Sequence, residues 1–331
     1  MSMEILEKYY EIKPESSIQD GNITRYMKND SIYTIVPVTH VEQETLIELY
    51  EISEHMAKYQ DKKVSRFVAQ AEGKFLITHE EQDYVLLKNT KRKSGSQKNV
   101  GRMLAKFHER GKEIQIQISS INRIGQWKEY WITRLEQLER AWHAAVQEKP
   151  EEEFEKLFIE SFPYYLGLCE NAIQYVTDTE MDLVPQYSDR GTICHERFHD
   201  NLWKESLEIR NPFDWVFDHC GRDIAEWVRG CYFRQPRSFQ PEMIHFLQGY
   251  QSIITITEFS WRLIYARLLF PLHYFSCIEE YYSAETQSKQ KHLEEKMRRY
   301  IRDSGEYELF LKHFYKIAGA DTKRIPIIDW I

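Results

Sequence analysis

From Val100 onward the apolar residues recur at helical intervals with one interruption, and that interruption constrains the fold more than any total. Residues 185–227 are polar and aromatic, with Pro185, Ser188-Asp189-Arg190, Gly191 and Asp200-Asn201 breaking the pattern as loop residues do. Before the interruption, Val100, Met103, Leu104 and Phe107 form an apolar stripe that stops at Gly111, a glycine placed to cap a helix C-terminus. Trp127, Trp131, Leu135, Leu138 and Trp142 mark a long helix. Glu151-Glu152-Glu153 opens the next, where negative charge suits the helix dipole. After the interruption, two or three helices fill 241–283 and a charged amphipathic one spans 287–302.

The first ninety residues follow a different pattern. Ile32 to Val38 is strand-like, with Pro37 placing it at an edge or ending it early. Thr39-His40-Val41-Glu42 has capping-box spacing, and Leu46, Leu49, Tyr50, Ser53, Met56 and Ala57 predict a helix from about Val41 to Tyr59. Residues 64–70 and 74–78 flank Glu72-Gly73 as a candidate hairpin, and Tyr84-Val85-Leu86-Leu87 is a further strand. Lysines and an arginine surround Ser94-Gly95-Ser96 in a stretch that reads as a solvated connector or an anion-binding loop. The expected organisation is α+β: a small mixed lobe at 1–88, a connector at 89–98 and a larger helical lobe at 99–331. A chain of 331 residues, 42% hydrophobic and 14% aromatic, is long enough and apolar enough for that.

Several function classes are disfavoured at once. A net charge of −8 argues against broad nucleic-acid binding, which needs a cationic face. Met1 to Glu7 has no basic region leading into an apolar one, so no secretory signal is expected. The apolar run from Phe259 to Tyr282 carries Arg262, Arg267, Glu279 and Glu280 and is broken by Pro271, which predicts a buried helix pair and no transmembrane segment. The five cysteines form no C-x-x-C pair, and reduced, mostly buried thiols in a cytoplasmically synthesised protein are expected.

The irregular centre contains His195-Glu196-Arg197-Phe198-His199, whose letters support two chemistries. On a continuous helix, H-E-x-x-H places two imidazoles one turn apart for zinc, with Glu196 as general base and His219 available as a third ligand. That would make a zinc hydrolase using His195, His199 and His219. The breakers upstream and Asp200-Asn201 downstream favour a loop instead.

Four other fragments bear on the choice. Gly101-Arg102-Met103-Leu104-Ala105-Lys106-Phe107-His108 resembles the G-R-x-L-A-x-x-H helix of aminoglycoside phosphotransferases and choline kinases. Where that superfamily has H-G-D-x-x-x-x-N, this chain has His195-Glu196-Arg197 through Asn201. Phe213-Asp214-Trp215-Val216 is similar to its metal-binding strand, and Asp223-Ile224-Ala225 to the D-L-A helix start. Arg267 to Phe275, with Glu279-Glu280-Tyr281-Tyr282, looks like the C-terminal helices of one branch, the kinase-like endospore coat proteins of the YutH and CotS type.

This resemblance implies a protein-kinase-like two-lobe fold with a small mixed N-lobe and a large, mainly helical C-lobe. It places Arg197 at the position of the catalytic aspartate, where a guanidinium can neither accept a proton nor favour a metal. His195 and Asn201 are the other degenerate-loop positions, the latter after a one-residue deletion. Asp214, or Asp218 nearby, would be the magnesium ligand. The strand expected to carry a phosphate-binding lysine, Tyr33 to Val38, has none, and the loop Met27 to Asp30 has no glycine. The reading is therefore a pseudokinase of the spore coat that needs no cofactor and contacts other coat proteins. An active atypical small-molecule or protein kinase using Mg·ATP, with Glu196 or Asp200 as the base, is the alternative. Expected structural roles are a loop-holding His195, an Arg197 buried against Asp214 or Asp218, and an Asp223 that caps its helix.

Overall fold

The computed structural model describes residues 2–21, 23–59, 61–70, 72–90, 99–148, 150, 152–198, 203, 209–321 and 325–326. Two compact units are formed, one from Met1–Asn122 with Gly191–Asp218 and one from Arg123–Arg190 with His219–Ile331.

The first unit is built on an antiparallel sheet. Its strands are β1 (Ser16–Asp20), β2 (Ile23–Lys28), β3 (Ser31–Pro37), β4 (Arg66–Val68), β5 (Leu76–His79) and β6 (Gln82–Thr90), in the order β1-β2-β3-β6-β4, with β5 also pairing with β6. Helix α1 (Ser2–Tyr10) sets Leu6 on one face of the sheet with Tyr26, Tyr33 and Leu86. Tyr26 and Tyr33 stand opposite each other in the β2–β3 register. Because side chains alternate along a strand, the neighbouring pair Arg25 and Thr34 occupies the other face. Helix α2 (Gln43–Lys58) follows β3 and buries Glu48, Leu49, Ile52, Ser53 and Met56. Helix α3 (Val100–Lys112) is capped by Asn99, whose side chain accepts from the Arg102 amide at 2.9 Å. A second, two-stranded sheet pairs β7 (Thr192–His195) with β8 (Trp215–Asp218).

Three sequence expectations are corrected in this unit. Residues 66–68 and 76–79 do not pair with each other as a hairpin; each pairs with β6. The turn between them is nevertheless formed, with the Gly73 amide on the Gln70 carbonyl at 2.9 Å. Thr39 does not cap α2: the N-cap is Glu42 without a side-chain bond, and Thr39 Oγ1 accepts from the Asp83 amide at 3.0 Å. Gly111 lies within α3, whose C-cap is Glu113. Its lack of a side chain serves packing instead, since a Cβ there would meet Thr192 Oγ1 at 2.5 Å and the Ile193 amide nitrogen at 2.7 Å. Of the connector, residues 91–98 lie outside the described residues, while Lys88 to Thr90 continue β6.

The second unit is helical: α4 (Trp127–Glu148), α5 (Glu153–Asp182), α6 (Gly221–Arg234), α7 (Phe239–Gln251), α8 (Glu258–Leu269), α9 (Leu272–Tyr282), α10 (Gln287–Arg302) and α11 (Ser304–Ala318). Every residue of α8 from Phe259 to Leu269 is buried, and α8 packs on α5 and α6. The chain breaks at Pro271, the N-cap of α9, as the apolar run required. No described helix is long and apolar enough to cross a membrane. Burial of the two arginines in α8 is made possible by partners. Glu226 bonds Arg229 at 2.6 Å and Arg267 at 2.9 Å, and Arg262 reaches Asp182 at 2.9 Å. All five cysteines are buried and none is in a disulfide. Asp223, expected as an N-cap, sits in the first turn of α6, whose N-cap is Cys220.

Candidate functional site

The β7–β8 ladder determines which of the singled-out residues share a location. Its register pairs Thr192 with Asp218 and His195 with Trp215, and the Glu196 amide extends it by donating to the Asp214 carbonyl at 2.7 Å. Residues 195–197 and Asp214 therefore meet at one end of the hairpin. Asp218 is fully buried at the other end, about 13 Å from Asp214 at the usual rise per strand residue. The Asp218 carbonyl accepts from the Cys194 thiol at 3.6 Å.

His195 is buried among aromatic rings, 5.2 Å from Phe107, 4.9 Å from Phe198 and 5.5 Å from Trp203. It closes a strand, and Glu196 and Arg197 form a bend, so this stretch is not the helix that H-E-x-x-H zinc binding needs. His199, Asp200 and Asn201 lie outside the described residues. His219 belongs to the helical unit, where both ring nitrogens are engaged. Its Nδ1 accepts from the Gly221 amide at 3.0 Å, and its Nε2 lies 3.2 Å from Ser260 Oγ and 4.0 Å from Asp189. Burial works to raise the Asp189 pKa, but donors on His219, Ser260, Thr257 and the Gln186 amide outweigh it and hold the carboxyl at about 2.

Arg197 is exposed, so it is not the buried partner of Asp214 or Asp218 that the sequence suggested. The buried cation on the segment leading to Asp214 is Arg210. Its guanidinium bonds Asp61, which also takes Arg110 at 2.9 Å, and lies 4.2 Å from the Trp203 ring and 5.1 Å from Phe107. The Arg210 backbone bonds Lys63 and Ser65, tying the segment ahead of Asp214 to the strand region before β4. Sequence reasoning missed this pair because Asp61 and Arg210 are 149 positions apart with no local pattern linking them. Phe213, next to Asp214, packs against Phe67 at 5.8 Å.

On the sheet, the side-chain position next to Tyr33 on the opposite face carries Thr34, whose hydroxyl accepts from Arg25 Nη1 at 3.1 Å. The Arg25 charge is matched by Asp20 at 2.6 Å. Glu48 of α2 is satisfied entirely by the segment after α3. It accepts from the Ser119 amide and hydroxyl, each at 2.8 Å, from the Ser120 amide at 2.9 Å and from the Ile121 amide at 3.3 Å. Burial opposes the Glu48 charge, yet these donors lower its pKa. Protein kinases pair the carboxylate of the equivalent helix with a strand lysine, and no such pair is formed here. The turn Asn29-Asp30 is a two-residue connection in which Asn29 takes the left-handed conformation at φ 53°, and the Asn29 amide donates to Glu15 at 3.3 Å.

A family model described as "Spore coat putative kinase YutH" matches residues 3–314. The chain belongs to this YutH spore coat family. Within it, the endospore coat-associated protein YutH of Bacillus subtilis (strain 168) is 39% identical over 329 residues, covering 99% of this chain and 97% of that protein. The YutH-type fold is also that of solved phosphotransferases. An aminoglycoside phosphotransferase from Alicyclobacillus acidocaldarius superposes with a TM-score of 0.66 at 14% identity over 95% of each chain. Amicoumacin kinase in complex with AMP-PNP and Ca2+ superposes with a TM-score of 0.57 at 14% identity, over 92% of this chain and 93% of that one. The YutH-family chain is thus a kinase-like α+β protein, a small antiparallel sheet followed by a mostly helical remainder.

Of Mg·ATP, the group that the resemblance in sequence implies for an active member, the described residues fit little. Asp214 is present and half-buried, but strand β3 carries no lysine, the α2 carboxylate is committed to residues 119–121, and Arg197 brings positive charge to the Asp214 end of the hairpin.

Proposed function

We propose that this chain is a pseudokinase of the endospore coat that acts through protein contacts during coat assembly. The observation that carries the reading is Arg197, exposed at the hairpin end that also holds Asp214, where phosphoryl transfer needs an anion to accept the hydroxyl proton. The absence of a lysine from strand β3 and the engagement of Glu48 by residues 119–121 support it independently. Apolar surface suited to protein contact exists at the end of α5, where Met181, Val184 and Tyr187 are 80%, 88% and 76% exposed within seven residues. The test is titration of the full chain with Mg·ATP, alongside an assay for phosphate release. Absence of both saturable binding and turnover is the expected result; metal-dependent micromolar binding with turnover overturns it.

One observation favours the second reading, an active atypical kinase. Glu196 is exposed and its amide is fixed to the Asp214 carbonyl, so a carboxylate-bearing residue adjoins the candidate metal ligand. Under that reading Asp214→Ala abolishes turnover, and an unchanged rate removes it.

A further inference from the structure

The helical unit contains a cavity that neither chemistry above uses. It has a volume of about 190 Å³ and is lined from α5, α6, α9, α10 and α11. Its inner wall is a ring cluster around His273, with Phe233 at 4.5 Å, Tyr300 at 4.8 Å and Tyr307 at 5.3 Å. A dry cavity of about 150 Å³ admits one benzene molecule, so this space takes one aromatic ring with a small substituent. Edge and offset contacts with the surrounding rings would favour that guest over an aliphatic one.

Polar features select it further. His273 Nδ1 is buried with no hydrogen-bond partner among the described residues. Burial, followed by the nearby Arg229 and Lys296, lowers the His273 pKa, so the imidazole is neutral and free to accept or donate one hydrogen bond. At the mouth stands Arg299, exposed and 6.0 Å from the Tyr300 ring; its charge, after the hydrogen bond from Arg302, also helps hold the wall carboxylate Asp303 ionised. Asp303, also on the wall, is already bonded to Arg302 at 2.7 Å, and Arg234 to Glu242 at 3.0 Å. A shallow depression sharing Pro236 and Asp303 with the cavity adds Arg237, Arg302 and Glu306. Arg299 thus sets a guanidinium at the rim of an aromatic-walled cavity.

We propose that this cavity binds a small single-ring aromatic carboxylate, its ring among Phe233, Tyr300 and Tyr307 and its carboxylate on Arg299. The site goes beyond the pseudokinase reading and does not depend on it.

The test is calorimetric and ligand-observed NMR titration of the full chain with benzoate, with benzyl alcohol and cyclohexanecarboxylate as comparisons. Benzoate is expected to bind saturably and about tenfold more tightly than either comparison, the usual order for one charge-assisted contact. Arg299→Ala should remove that advantage over benzyl alcohol, and Ser304→Phe, which fills the cavity, should abolish binding of both. Asp214→Ala should leave benzoate affinity unchanged, which separates this site from the kinase-like one. Unchanged thermal midpoints show that the variants are folded. No saturable benzoate binding, equal affinity for benzyl alcohol, or retained binding in Ser304→Phe overturns the proposal.

Discussion

Glu48 shows how one carboxylate can be redirected by its surroundings. Its helix occupies the place in which kinases use an acidic residue to hold a lysine, but the lysine is absent and backbone amides at 119–121 take the charge. Glu48→Ala strands those amides in a buried setting and is expected to lower unfolding free energy by about 2–3 kcal/mol, measured by urea denaturation. Asp189 makes a prediction in pH. Its carboxyl is held at about 2 against an ordinary 3.8, so the folded state binds its proton less readily than the unfolded chain does. The resulting stability is fully present above about pH 4 and is lost as pH falls toward 2, a contribution of about 2 kcal/mol. Asp189→Asn should therefore flatten the acid limb of a stability–pH curve; an unaltered acid limb would count against the network of His219, Ser260 and Thr257.

At the scale of elements, two helical glycines have opposite roles. Gly111 in α3 lies against β7, and Gly111→Ala drives a Cβ into Thr192 and the Ile193 backbone. Overpacking of that kind costs about 1–3 kcal/mol, and because β7 carries His195, the hairpin end should shift as well. Gly230 in α6 is exposed, and a Cβ added there would meet nothing within 4 Å, so Gly230→Ala should stabilise by about 0.4–1 kcal/mol. Thermal unfolding of both variants checks the pair. The contrast also shows what was legible. Spacing of Val100, Met103, Leu104 and Phe107 reveals α3 and even points to Gly111, but local rules assign that glycine to a cap. Only the approach of β7, remote in sequence, makes it a packing residue. Helices α10 and α4 were readable because their faces repeat over four or more turns, whereas α1 and the short strands β1 and β2 offer too few repeats to rise above composition.

For the molecule as a whole, the features on which the pseudokinase proposal rests are distributed. Arg197, the lysine-free strand β3, Glu48 and the glycine-free Asn29 turn lie on different elements, and changing one leaves the others in place. Arg197→Asp alone is accordingly expected to produce no phosphate release from Mg·ATP; measurable turnover in that single variant would show that the strand lysine is dispensable. The segment Gly191–Asp218 folds with the first 122 residues and not with the helices on either side of it in the chain. That arrangement is stabilised by Asp61, Arg110 and Arg210, a buried ionic group supported by Trp203 and Phe107. Removing one member of such a group typically costs about 3–5 kcal/mol because the remaining charges are left unmatched. Arg210→Leu should thus be among the most destabilising single changes in this unit, as read by urea unfolding.

The sequence by itself determined the helical body, the sheet-bearing start, the family and the sign of the charge at position 197, because each is written in local periodicity or in residue identity. The tertiary structure decided that Arg197 faces solvent, that Arg210 is the cation buried ahead of Asp214, that Glu48 serves backbone amides and that Gly111 yields to β7. Those outcomes depend on which distant segments meet, and hydrogen-bond and packing partners separated by tens to more than a hundred residues leave no mark in local spacing.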